Sequence, residues 1–257
     1  MCGLDREELF EDAVCLVKKA GELLKNKISV DQIGKKGKTD FVTDIDRKVQ
    51  QMLKSSLAEL DSSIAFTAEE QENYEEMLSG YAWILDPVDG TTNLIHSFHA
   101  SAISLAFAFE RKVMFGIVFN PFTDELYTAV RGKGAFLNGE KIRVSEAESL
   151  ADSLCFAGTN PGKRDMADMA FARMRAAYER CRDIRRIGAA SVEICYLADG
   201  RADGYFEYGL KLWDYAAASL ILEEAGGMLT SDVGFCLKDA DIAASNGKIH
   251  AELLSIL

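Results

Sequence analysis

The sequence predicts an α/β protein whose first half is α+β and whose second half is α/β. Three patterns carry that expectation. Apolar residues recur at helical spacing near the start, alternating strands fill the middle, and strand-like and helical segments interleave after about Ser145. The halves are expected to span 1–145 and 146–257 in one compact unit. A chain of 257 residues is long enough for that. It buries roughly three-quarters of its unfolded surface and needs no disulfide staples.

Leu9, Phe10, Ala13, Val14, Val17, Ala20, Leu23 and Leu24 predict an amphipathic first helix ending near Asn26. Lys35-Lys36-Gly37-Lys38-Thr39 reads as a mobile basic loop. Val42, Ile45, Val49, Met52, Leu53 and Leu57 predict a second helix from about Thr43. Tyr81 to Leu85 is a short buried strand running straight into Asp86. Ile103 to Phe109 alternates, Val113 to Phe119 is another strand stopped by Asn120-Pro121, and Leu126 to Val130 is a third. Ala135-Phe136-Leu137 and Ile142-Arg143-Val144 flank Asn138-Gly139, a strong hairpin signal, so the first half ends in an antiparallel meander. Beyond Ser145 the expected order is a strand at Ser153–Gly158, a helix from Met166 to Arg182 and a helix from Ala189 to Ala198. A strand at Gly204–Phe206 follows, then a helix from Trp213 to Ala225 stopped by Gly226-Gly227.

The formal charge of −12 and the lack of a long basic run argue against a nucleic-acid partner. An anionic substrate would need a cation to approach such a chain; solubility alone explains the charge equally well. The six cysteines form no C-x-x-C pair and no zinc spacing. No apolar run is long enough to span a bilayer, and the first residues lack a secretory h-region. A reduced, cytoplasmic protein is expected.

The chemistry concentrates in Trp83-Ile84-Leu85-Asp86-Pro87-Val88-Asp89-Gly90-Thr91-Thr92-Asn93. A buried strand delivers two carboxylates into one turn, and they repel unless a cation lies between them. Hard oxygen ligands suit magnesium or manganese rather than zinc, and the Val88 carbonyl is a further candidate ligand. Thr91 sets a hydroxyl beside the metals, and amides after Gly90 suit a phosphate. A bare D-x-x-D reads more simply as a turn capping a helix. Likewise Asp214 alone reads as an N-cap, Glu69-Glu70 as solvated surface, and Thr43-Asp44-Ile45-Asp46 as helix capping. Gly37-Lys38-Thr39 lacks the leading glycine of a P-loop, where Gln32 stands. His96 and His99 do not have zinc-protease spacing.

Asp86-Pro87-Val88-Asp89-Gly90-Thr91-Thr92-Asn93 resembles the signature of the inositol monophosphatase family. Trp213-Asp214-Tyr215-Ala216-Ala217-Ala218 and Glu224-Ala225-Gly226-Gly227 resemble its second signature, and the likeness extends from the first helix to about Ile249. The resemblance implies a layered αβαβα sandwich and a magnesium-dependent phosphomonoesterase with two or three ions, manganese being an alternative. Glu69, Asp86, Val88, Asp89 and Asp214 would bind metal. Asp46, Glu69 and Thr91 would serve catalysis. Gly90, Thr91, Thr92, Gly188, Ala189, Ala190 and Glu207 would bind substrate, and Lys35 would sit on a mobile loop near a third metal. Ala68 stands where the family has glycine. The first half would thus hold the metals and the second the substrate. The implied substrate is inositol monophosphate or a related small polyol or sugar phosphate. Fructose 1,6-bisphosphate, histidinol phosphate, an adenosine 3′,5′-bisphosphate or a magnesium-binding regulatory role are the alternatives. Lithium sensitivity and a homodimer are implied on the same ground.

Overall fold

The apolar spacing near the N-terminus forms α1 (Arg6–Leu24), which buries Leu9, Ala13, Val17, Ala20 and Leu24 along one face. The computed structural model describes residues 6–25, 33–35, 41–69, 77–231 and 239–257. Strands β1 (Ile33–Lys35) and β2 (Phe41–Thr43) pair antiparallel as a short ribbon. Lys35, expected in a loop, instead ends a strand opposite Phe41, because the β-favouring Phe41-Val42-Thr43 segment offers its backbone a partner. The rest of that basic segment, 36–40, lies outside the described residues. Next come α2 (Asp44–Leu60), β3 (Ala65–Ala68), β4 (Tyr81–Asp89), α3 (Thr91–Ile95), β5 (Ala102–Phe109), β6 (Lys112–Asn120), β7 (Glu125–Val130), β8 (Gly134–Leu137) and β9 (Glu140–Lys141).

Strands β3 to β9 form a seven-stranded sheet in chain order, parallel only at β3–β4, so the expected meander is present. Its last hairpin turns on Asn138 and Gly139, with φ of 51° and 85°, the left-handed pair a type I′ turn requires. The strand expected at Ile142–Val144 starts earlier, at Glu140, because a two-residue turn pairs Leu137 directly with Glu140. The Ile142 N–H still donates to Ala135 at 3.0 Å, but Val144 leaves the sheet and donates to the Ala225 carbonyl at 3.2 Å.

The remaining elements are β10 (Leu154–Ala157), α4 (Ala167–Tyr178), β11 (Asp183–Arg185), α5 (Ala190–Ala198), β12 (Gly204–Leu210), α6 (Leu212–Glu224), β13 (Met228–Ser231), β14 (Ala240–Ser245) and α7 (His250–Leu254). They include a five-stranded sheet ordered β11-β10-β12-β14-β13. Helix α4 stops at Tyr178, short of the expected Arg182. The Arg182 N–H donates to Ser153 at 2.9 Å, and the next residues pair parallel with β10. Strand β12 runs past Phe206 to Leu210 because β14 pairs with it that far.

Five layers result. Helices α1 and α2 cover one face of the larger sheet through Val17, Leu53, Trp83 and Phe115. Helices α5 and α6 fill the space between the two sheets, against Ile84 and Ala106 on one side and Tyr205 and Ile242 on the other. Helices α4 and α7 close the far face of the smaller sheet around Phe206 and Met174. Helix α6 is apolar all round because both its sides are buried. Its alanines allow a close approach: a Cβ on Gly116 of β6 would strike the Ala217 backbone. The helix ends in a Schellman motif. Gly227 donates to Leu222 at 2.9 Å and Gly226, at φ 93°, to Glu223 at 3.0 Å.

Candidate active site

Strand β4 carries Trp83, Ile84 and Leu85 between two cores and brings Asp86 and Asp89 to its end, 4% and 7% exposed. Pairing with β5 slips by one residue between Asp86↔Ser104 and Asp89↔Ala102. That bulge admits Pro87, which has no N–H for a ladder, into a central strand. The Val88 N–H folds back to donate to Asp86 Oδ1 at 3.0 Å. Gly90 follows at φ 83°, where a Cβ would sit 2.9 Å from the Ala100 carbonyl oxygen and 3.1 Å from Ala189 Cβ. Only glycine fits both the angle and the space. Asn93 Nδ2 donates to Ala100 at 2.8 Å and to Ile187 at 3.0 Å, fastening this turn to the segment that leads into Gly188.

The Thr91 hydroxyl lies 3.1 Å from Asp46 Oδ1 and 3.1 Å from the Val88 carbonyl. It has one proton and so donates to one of them at a time. Asp46, 2% exposed, stands in the first turn of α2, where the helix dipole favours a carboxylate. Asp89 caps α5: Oδ2 accepts from the Ser191 N–H at 2.7 Å and Ser191 Oγ at 2.5 Å, and Oδ1 from Ala190 at 3.2 Å. Asp214 is the third residue of α6, not its N-cap. The N-cap is Lys211, whose N–H donates to Asp214 Oδ2 at 2.7 Å. Glu69 follows β3, and its N–H donates to the Leu85 carbonyl at 3.3 Å, beside Asp86. Ala68 is an extended, buried residue of β3 and shows no strain in the glycine's place. Lys35 is placed by its backbone alone, on β1, and Glu70 lies outside the described residues.

These carboxylates burden one another. Burial raises Asp86 well above the ordinary aspartate range, and Glu69, Asp89 and Asp214 push it further. Burial and then Asp89 raise Asp214 likewise. Burial pushes Asp89 up to about 6, outweighing the Ser191 and Ala190 hydrogen bonds that favour its charged form. Among the described residues no three acidic, histidine or cysteine groups close on one point. Asp86, Asp89 and Asp214 each turn an oxygen to a backbone N–H instead. The donor set is nonetheless all oxygen, and four mutually repelling carboxylates stay ionised together only beside a cation. The residues fit magnesium.

Beyond the cluster, Gly188 (φ 84°) leads into Ala189 and Ala190 at the start of α5. Thr92 is exposed on α3. Glu207, 8% exposed on β12, accepts from the Tyr205 hydroxyl at 2.8 Å. Burial pushes it up to about 7, against the pull of Tyr205 and Arg186. Three contributors escape sequence reasoning. Ser191 holds Asp89. Gly158 leaves the room Glu207 occupies, since a Cβ there would overlap its carboxyl. Glu193 is fully buried, accepts from the Ile187 N–H at 2.7 Å and is pushed by burial to about 8. A hydroxyl and a charge inside the apolar run Ala190–Ala198 are the signal that marks the first and last.

The sequence profile of the inositol monophosphatase family matches residues 5–257. The chain belongs to the inositol monophosphatase family. Inositol monophosphatase 1 from Homo sapiens is 37% identical over 97% of this chain and 93% of its own length. A Neisseria meningitidis serogroup B protein named as a putative Nus factor SuhB is 39% identical over 85% of this chain and 84% of its own. The solved structure of a Thermotoga maritima IMPase superposes with a TM-score of 0.84 at 32% identity, covering 97% of this chain and 96% of that one. The layered α/β sandwich is therefore the inositol monophosphatase fold. Members of this family are phosphoric monoester hydrolases that depend on a metal, typically magnesium, and so this chain is a phosphatase.

Proposed function

We propose that the protein hydrolyses inositol monophosphate or a related small polyol or sugar phosphate by direct attack of water. The observation that carries this reading is the Thr91–Asp46 pair, 3.1 Å apart, beside the Asp86, Asp89, Asp214 and Glu69 carboxylates. Those four carboxylates and the Val88 carbonyl would hold two or three magnesium ions, or manganese. The bound ions would supply a Lewis acid that acidifies water and neutralises phosphate oxygens. Glu69 orients the attacking water. Thr91 accepts that water's proton while passing its own to Asp46. The amides of Gly90, Thr91 and Thr92 receive phosphate oxygens. Gly188, Ala189 and Ala190 leave room for the polyol, and Glu207 accepts hydrogen bonds from its hydroxyls. Attack in line by water needs no covalent phosphoenzyme. Lys35 would act from the basic segment near a third ion.

Lithium inhibition, a homodimer and a cytoplasmic location are carried by the family likeness. No helix among the described residues is long and apolar enough to cross a membrane. The Neisseria relative's name favours a second reading, a regulatory role on the same fold. A panel of inositol, sugar and nucleotide phosphates assayed with magnesium separates the two. Hydrolysis of inositol 1-phosphate, suppressed by about tens of millimolar lithium as expected of a weak hard-cation site, is the expected result. Inactivity across the panel favours the regulatory role.

A further inference from the structure

One residue of α5 breaks its composition. The helix runs Ala-Ser-Val-Glu-Ile-Cys-Tyr-Leu-Ala between the two sheets, and Glu193 at its fourth position is fully buried. Oε1 accepts from the Ile187 N–H at 2.7 Å, and Oε2 has no hydrogen-bond partner among the described residues. Burial, Glu207 and Asp89 press its pKa up, and only the Ile187 and Gly188 amides draw it down. A half-satisfied acid in an apolar layer weakens a fold, and an apolar side chain of the same volume would pack there at less cost. The contact with Ile187 therefore needs a reason beyond stability.

Ile187 is gripped from both sides. Its N–H goes to Glu193, and its carbonyl accepts from Asn93 Nδ2 at 3.0 Å. Asn93 belongs to α3, directly after the Gly90, Thr91 and Thr92 amides proposed for phosphate. The next residue, Gly188, turns the chain at φ 84°, and Ala189 then runs extended into α5. Asp89 holds the far end of this segment through the Ala190 and Ser191 N–H groups at 3.2 and 2.7 Å. Gly188–Ala190, the stretch proposed to make room for the polyol, thus hangs on three side chains. Asp89 and Asn93 tie it to the metal and phosphate turn, and Glu193 ties it to the interior of α5. Glu207, the acceptor proposed for the hydroxyls, is fixed separately on β12 by the Tyr205 hydroxyl at 2.8 Å. A buried tie of this kind sets geometry to within a fraction of an ångström, the precision a binding site needs.

We propose that Glu193 is a positioning residue for substrate choice: by holding the Ile187 N–H from within α5, it fixes the Gly188–Ala190 segment at the distance from Glu207 that a polyol ring occupies. Glu193 touches no substrate and acts through the backbone it holds. The proposal rests on the polyol-phosphate reading and adds the residue that sets the width of its hydroxyl-binding side.

The test measures kcat and KM for inositol 1-phosphate and for phenyl phosphate, an ester without hydroxyls, at saturating magnesium. It uses the natural protein, Glu193→Gln, Glu193→Met and Glu193→Asp, each with a thermal scan and a magnesium titration of activity. Glutamine keeps an acceptor at the same reach, so Glu193→Gln should stay within about threefold of the natural kcat/KM on both substrates. Methionine fills the volume without an acceptor as strong, and aspartate holds its acceptor one methylene short. Each should lose about tenfold or more on inositol 1-phosphate, chiefly through KM, and less than about threefold on phenyl phosphate, with the magnesium requirement unchanged. Equal losses on both substrates, no loss on inositol 1-phosphate, or a Glu193→Gln as impaired as Glu193→Met overturn the proposal. Should Glu193→Met not fold, Glu193→Asp carries the test. A natural preference for inositol 1-phosphate that survives in both variants removes the proposal alone. A natural protein without that preference removes the polyol-phosphate reading and the proposal with it.

Discussion

Thr91 has a single hydroxyl proton and two acceptors in reach, Asp46 and the Val88 carbonyl. If its work is to relay a proton from water, the loss belongs to the transition state rather than to substrate binding. Thr91→Ala is expected to lower kcat by about a hundredfold or more, the size of a general-base contribution, with KM within about threefold. Thr91→Ser should recover much of the rate. A main effect on KM would reduce Thr91 to a phosphate or capping contact. Glu207 makes a different kind of prediction. Glu207→Gln should slow hydrolysis of inositol 1-phosphate far more than that of a simple ester without hydroxyls, because a buried acceptor matched to substrate hydroxyls discriminates by hydrogen bonding. Equal losses on both esters would remove it from the specificity site. At this scale the paired carboxylates Asp86 and Asp89 are legible in the sequence, since one buried strand and its turn bring them together. Ser191 and Glu193 stand out only as a hydroxyl and a charge inside an apolar run; what each holds is not legible, because Asp89 is far off in the sequence and the Ile187 N–H reaches Glu193 only through the bend that leads into α5.

Among the elements, the turn from β4 into α3 is the most constrained. Gly90 combines a left-handed φ of 83° with a carbonyl oxygen 2.9 Å from any Cβ. Gly90→Ala is expected to cost about 1–3 kcal/mol, which lowers the thermal midpoint by roughly 2–10 °C for a chain of this size. An unchanged midpoint would show that the turn relaxes and does not hold Asp89 and Thr91 in place. Elements that follow their own periodicity, α1, α2, β4 to β8 and α6, are readable from spacing and caps. Strand β14, Ala-Asp-Ile-Ala-Ala-Ser, has little intrinsic β preference and is extended because β12 and β13 pair with it on both sides. Strand β11 likewise exists through β10, which is why the sequence suggests a longer α4.

Across the whole molecule, the five layers bury acids of β4, β12 and the intervening α5, and this sets the response to pH. Burial raises Asp89, Glu207 and Glu193 to about 6, 7 and 8, from ordinary values of 3.8, 4.5 and 4.5. A raised carboxyl pKa means the folded protein keeps its proton after the unfolded chain has lost it. Its contribution is present at low pH and is lost as pH climbs to the folded value, at about 1.4 kcal/mol per pH unit for each titrating group. The metal-free protein should therefore lose stability from about pH 4.5 to pH 8 in scanning calorimetry. Glu193→Gln should flatten the upper part of that slope, and magnesium should raise the midpoint more at pH 8 than at pH 5. A metal-free midpoint that climbs between pH 5 and pH 8 would contradict the assignment. The central claim is that hydrolysis runs on a cation held by this carboxylate cluster. Its most direct test is magnesium-dependent turnover of inositol 1-phosphate by Asp86→Asn, with calorimetric magnesium binding and a thermal scan on the same sample. A folded variant that binds magnesium weakly and has lost about a thousandfold or more in kcat, on the scale of removing a main electrostatic stabiliser, is the expected result. A folded Asp86→Asn protein with near-normal, magnesium-dependent turnover would contradict it.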